Sequence, residues 1–325
     1  MTMTDSPRRT TRAPTPSSSP AQRLQSRFAA VRVSFTWLGV RKTLTTDQKA
    51  QAAEPFGAEG QYLSASKKLL DTKNTEFREV TALRNRIVSY WKGMTLPYPE
   101  PGLRLIRQDQ IETFNDVITD MRNQLQEAVV HLDEHYEVLK AAAQERLGSL
   151  YNPGDYPSTL RGMFSVEWEF PSVTPPDYLA QLNPQIYEAE KARIAARFDE
   201  AVRLAEEAFT SELAKLVGHL TERLSGSGEE GQKKVFRDTA VTNLREFFER
   251  FRCLNVHSNA QLDELVATAQ KAVQGITAQD LRDQEGLRKQ VSVQMATLTA
   301  TLEGMLVDQP RRRILRPLPP SQQVA

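Results

Sequence analysis

The chain has 325 residues, 39% hydrophobic and 26% charged, with 42 Lys and Arg against 41 Asp and Glu. That length and apolar content can bury a substantial core, and a near-zero net charge removes any global pull toward nucleic acid or an anionic membrane. A single cysteine, Cys253, excludes an intrachain disulfide, and no run approaches the roughly 18 apolar residues of a membrane span or the core of a secretory signal, so the expectation is a cytoplasmic protein with no membrane contact.

From the N-terminus, residues 1–28 read as a disordered basic tail, because Pro14 to Pro20 is almost entirely Ser and Pro. Over residues 1–46 eight basic residues face Asp5 alone, a composition shared with organellar transit peptides; a solvated tail is the simpler reading. A strand is expected near 31–40, where Val31 to Trp37 alternates apolar and polar residues. A basic helix is expected over 61–92, with Leu63, Leu70, Phe77 and Trp91 on a seven-residue spacing and Val80 and Ile87 beside them. Pro97, Pro99 and Pro101 end it.

Two heptad ladders follow. Over 108–147, with Asp109 and Glu112 as start signals, Phe114, Ile118, Met121, Leu125, Ala128, Leu132, Tyr136, Leu139 and Ala143 recur in steps of four and three. Over 184–224, opened by Asn183 before Pro184, the rungs are Phe198, Val202, Ala205, Phe209, Leu213, Leu216, Leu220 and Leu224. Between them lies a second strand candidate, 163–170. Shorter helices follow, with Leu244, Phe247, Phe251 and Leu254 on one apolar face, to which Cys253 is assigned. Capping signals stand at Ser258 with Gln261 and at Thr277 with Asp280, and the last helix aligns Val291, Met295, Leu298, Leu302 and Met305. The basic, Pro-rich tail 309–325 carries Arg311, Arg312, Arg313 and Arg316. The expected fold is mainly α: an elongated antiparallel coiled-coil or helical bundle over 29–308, its two long helices forming a hairpin about 60 Å long. A small sheet of the two strands is expected at one end, since a lone strand leaves its backbone unpaired.

One string resembles a catalytic motif. His131, Glu134 and His135 spell the H-x-x-E-H of inverted zinc peptidases, and two histidines four apart share a helix face. Leu132 is a ladder rung, however, which places the histidines beside a packing seam rather than in a cleft, so no metal and no cofactor are expected. Gly226 to Gly231 spells G-x-G-x-x-G, but it follows a helix and holds Glu229 and Glu230 where phosphates would sit, so it reads as a connector. Charge separates the binding classes. Residues 108–147 hold nine acids against three bases, whereas 61–92 holds seven bases against three acids. Mutual docking would use both charges internally; an exposed basic helix would instead serve nucleic acid. The natural places for reversible charge-driven contact are the tails, with Arg311, Arg312, Arg313 and Arg316 as partner-binding candidates.

In this layout the chain resembles an uncharacterised family of bacterial and phage proteins of unknown function, often encoded beside MoxR-type AAA+ ATPases and von Willebrand factor A-type proteins. The features that carry the resemblance are Val33 to Val40, the Trp91 to Pro101 turn, the helix, aromatic strand and helix core, and Val235-Phe236-Arg237-Asp238 leading into Asn243-Leu244-Arg245-Glu246-Phe247. It implies a non-enzymatic helical adaptor or scaffold whose protein partners are such an ATPase and a von Willebrand factor A-type protein. A nucleic-acid-associated protein and a zinc metallopeptidase are the alternatives from other classes, and a second copy of the chain is a further candidate partner.

Overall fold

A computed structural model describes residues 18–224 and 238–307, so the Gly226 to Gly231 connector and the Arg311, Arg312, Arg313 and Arg316 tail lie outside the described residues. The described chain is mainly helical, with a small antiparallel sheet. It begins with α1 (Pro20–Arg27), a correction to the tail expected over 1–28. Ser19 and Gln22 form a reciprocal capping box, and Ala21 and Leu24 are buried, so this short segment has both a start signal and a core to join. Strands β1 (Phe28–Trp37) and β2 (Arg41–Thr43) come next, then α2 (Thr46–Ala53) and β3 (Ser66–Lys68).

The basic helix is shorter than its heptad spacing indicates. Residues 66–68 pair as β3 with β2, and the helix, α3 (Thr75–Gly93), begins only after Asn74, whose side chain accepts from the Phe77 amide at 3.1 Å. Strands β4 (Thr95–Pro97) and β5 (Leu103–Arg107) follow, then α4 (Ile111–Glu134) and α5 (Tyr136–Leu147), which divide at His135 the single helix expected over 108–147. Asp109 pairs with Arg107 instead of capping α4. Beyond them are β6 (Phe164–Glu169), α6 (Asp177–Leu182), the 41-residue α7 (Pro184–Leu224), α8 (Thr239–Leu254), α9 (Ala260–Ala272), α10 (Ala278–Asp283) and α11 (Glu285–Val307). Asn183 opens α7 by accepting from the Ile186 amide at 3.2 Å, Asn259 rather than Ser258 caps α9, and Thr277 with Asp280 forms the capping box of α10.

The sheet has the order β4-β5-β1-β6, every pair antiparallel. Val33 faces Trp168 and Phe35 faces Val166 across β1 and β6. Successive strand side chains point to opposite faces, and β1 uses both. Phe28 and Ala30, with Leu103 and Leu105 of β5, join a core built on α1, α7, α8, α9 and α11, whereas Val31 and Val33, with Ile106, join a core built on α3, α4 and α5. The sheet therefore lies between two helical layers, not at the end of a rod.

The expected hairpin of the two long helices does not form. Instead α4 packs on α3 and α7 packs on α11, each pair on its own side of the sheet. Tyr90 of α3 stacks on Phe114 of α4 at 5.6 Å between ring centroids, while Arg86 bonds Gln124, so the pair runs antiparallel. In the other layer Arg288, at the start of α11, donates to the Leu224 carbonyl at 2.9 Å and the Arg223 carbonyl at 3.2 Å. That contact closes the free carbonyl end of α7 with a cation and sets α11 antiparallel to it.

Asp155, on the loop between α5 and β6, anchors the two-stranded sheet. Its carboxylate accepts from Lys42 at 2.5 Å and is ion-paired with Lys67 at 2.6 Å, and the Lys67 ammonium donates to the Leu150 carbonyl at 2.6 Å. Asp155 and Lys67 are both buried at the side chain, so this pair is removed from water.

Candidate functional site

The catalytic-looking string is built into a packing helix. Leu132 is fully buried, whereas His131, Glu134 and His135 are exposed. His135 ends α4, and its Nδ1 lies 2.9 Å from the His131 carbonyl oxygen, so this imidazole closes a helix end. Among the described residues no group of three His, Cys, Asp or Glu side chains converges as a metal site would require. Asp133, between the histidines, holds the 159–161 loop, accepting from the Leu160 amide at 2.7 Å, the Thr159 hydroxyl at 2.9 Å and Arg161 Nε at 3.2 Å. Partial burial opposes its ionisation, but these donors together keep the carboxyl below its ordinary value.

The basic helix α3 docks on the acidic α4 without ion pairs between them among the described residues. Arg84 lies over the rings of Trp37 and Phe35, 4.8 and 5.4 Å from their centroids, so its charge is stacked on β1. Arg86 bonds a neutral amide, and Arg78 and Lys92 are exposed. These cations do not form one continuous exposed stripe.

Cys253 is exposed, which corrects its assignment to the packed side of α8. The buried face of that helix is formed by Leu244, Phe247, Phe248, Phe251 and Leu254, and a residue adjacent to Leu254 is rotated by about 100° around the axis. A maleimide dye should therefore label Cys253 in the native protein as completely as in the unfolded chain; protection until denaturation would return the thiol to the core.

Two cavities combine charge with shape. The first, of about 340 Å³, lies between α3, β4, α7 and α8 and is lined by Lys92, Arg104, Arg250 and Glu212. The second, of about 480 Å³, lies under the Pro171 to Pro176 strap, against Leu103, Ile194 and Arg197. At its base Glu100 bridges Arg32 at 3.6 Å and Arg197 at 3.3 Å, and Arg32 reaches Glu169 at 2.9 Å, so this wall is neutralised internally. Just beyond the strap, Tyr178, Leu182 and Ile186 are 60%, 77% and 53% exposed. The heptad reading missed this segment because it precedes the first rung at Phe198. The available signal was an apolar trio flanking Pro184, before any seam.

Among the described residues no helix is long and apolar enough to cross a membrane. Comparison with known proteins found no family model, no curated protein and no solved structure that matches this chain.

Proposed function

We propose that this protein is a non-enzymatic cytoplasmic adaptor whose partner is a MoxR-type AAA+ ATPase, with a von Willebrand factor A-type protein as a further member of the assembly. The partner classes come from the family resemblance. The observation that carries an interaction role is the exposed apolar segment spanning α6 and the start of α7: Tyr178, Leu182 and Ile186 present large side chains to water within nine residues. Exposed apolar groups of this size, rimmed by charge, are characteristic of protein contact surfaces. Arg193, Glu190 and Lys191 supply that rim, and the Pro-rich strap gives the segment a stiff approach.

Affinity capture from cytoplasm with the full chain as bait should retain the ATPase. Leu182→Asp combined with Ile186→Asp should abolish its retention while changing stability by no more than about 0.5 kcal/mol, because neither side chain belongs to a core. Undiminished capture by the double variant would remove this segment from the interface. Capture of only a second copy of the chain would replace the adaptor reading with self-association.

A further inference from the structure

The cavity between the two helical layers has an unbalanced charge that the adaptor role does not use. Arg104 reaches it from β5, with Nε donating to the Thr95 hydroxyl at 2.6 Å and Nη2 to the Thr95 carbonyl at 2.8 Å. Thr95 is 2% exposed and donates its own hydroxyl proton to the Trp91 carbonyl at 2.5 Å, and the guanidinium lies over the Trp91 ring, 5.9 Å from its centroid. The side chain is thus held in one orientation by groups that carry no negative charge. Among the described residues Arg104 forms no ion pair. Arg250 lines the same space from α8, stacked on Phe247 at 5.8 Å, and it is ion-paired with Glu212 of α7. Lys92 stands exposed at the mouth.

Three cations therefore meet one carboxylate, and that carboxylate is already engaged by Arg250. Burial, and then the neighbouring Arg250, pushes the pKa of Arg104 down to about 10, the response of a cation held among like charge without a counter-ion. Keeping such a cation partly desolvated is unfavourable unless an anion completes it.

We infer that this cavity is a binding site for a small phosphate monoester, whose dianionic phosphate is held by Arg104 and Arg250 and steered in by Lys92. A dianion matches the charge left over after the Glu212 pair, and the outer Nη1 side of Arg104, which the Thr95 bonds leave over, together with the Arg250 guanidinium suits tetrahedral phosphate oxygens better than a single carboxylate. The volume of about 340 Å³ leaves room for the phosphate and a modest organic group. This site is distinct from the apolar segment at residues 178–186.

Isothermal titration of the full-length protein with inorganic phosphate, at constant ionic strength, tests the inference. Saturable binding at one site per chain is expected, with acetate binding at least about tenfold more weakly. Arg104→Gln should weaken phosphate binding by about tenfold or more, the usual effect of losing a charge-assisted hydrogen bond. Since Arg104 also braces Thr95, Lys92→Gln provides a second variant on an exposed side chain that cannot disturb the core, and it should weaken binding several-fold. Arg250→Lys keeps the charge opposite Glu212 and should still lose affinity through the missing fork. No saturable binding by the native protein would overturn the inference, as would native affinity in both Arg104→Gln and Lys92→Gln. Acetate binding as tightly as phosphate would overturn the assignment to a dianion.

Discussion

Leu125→Asp and Val217→Asp should each abolish cooperative folding. Both native side chains are fully buried, Leu125 in the α3 and α4 layer and Val217 in the α7 and α11 layer. An unpaired carboxylate in such a position costs several kcal/mol, comparable with the roughly 5–15 kcal/mol that holds a typical domain together. The two cores are separate, but β1 supplies residues to both, so loss of either should remove support from the sheet they share. Leu216→Asp is the internal control. It lies on the predicted ladder, yet its side chain is only partly buried at the margin of the α7 core, so it should cost clearly less than Val217→Asp. Circular dichroism melts and chemical denaturation would rank the three. A Leu216 variant as damaging as the Val217 one would relocate the seam.

The second large effect is expected at the buried ion pair beneath the two-stranded sheet. Lys67→Met should destabilise the protein by about 3–5 kcal/mol, the usual consequence of removing one member of a buried pair. It leaves Asp155, only 2% exposed at the side chain, with the more solvated Lys42 as its remaining partner. Adding Asp155→Asn to Lys67→Met should recover part of the loss, because the uncompensated charge is then gone. The pair also makes a pH prediction. The adjacent ammonium groups of Lys42 and Lys67 hold the Asp155 carboxyl below its ordinary value in the folded state. A depressed folded-state pKa adds stability that is fully present above the unfolded value of about 4 and is lost as pH falls through the folded value. Stability should therefore drop on acidification below about pH 4, and less steeply in Asp155→Asn than in the native protein. Equal acid sensitivity in denaturant titrations would assign the loss to other carboxylates.

The sequence by itself determined the periodic features. Eight of the nine α4 and α5 rungs, from Phe114 to Ala143, are buried, with Met121 partly so, because a helix that packs along one line must place apolar residues every three or four positions. The facing of β1 and β6 was also legible, since alternation marks a strand and a strand needs a neighbour to satisfy its backbone. In α7 the pattern began to fail. Val202 and Leu216 are only partly buried while Ala201 and Val217 are fully so, because the buried line runs through Ala201, Ala205, Phe209, Leu213 and Val217 in steps of four, each of which advances about 40° around a helix of 3.6 residues per turn and carries the seam off the four-three ladder.

Tertiary structure alone decided which seam meets which. A ladder reports that a helix wants a partner and carries no label for it, so α4 pairing with α3 and α7 with α11 could not be read from spacing. The same physics truncated the basic helix: residues 66–68 gain cross-strand hydrogen bonds to β2 and a buried ion pair through Lys67, which outweigh a weak local helical preference. Cys253 turned outward because its neighbour Leu254 occupies the core side of α8. The cationic cavity needed three distant segments, around Lys92, Arg104 and Arg250, to be brought together by the sheet edge and two helices. No local pattern announces such a site, because its chemistry arises from charges that are ordinary one at a time and unbalanced only when folding places them side by side.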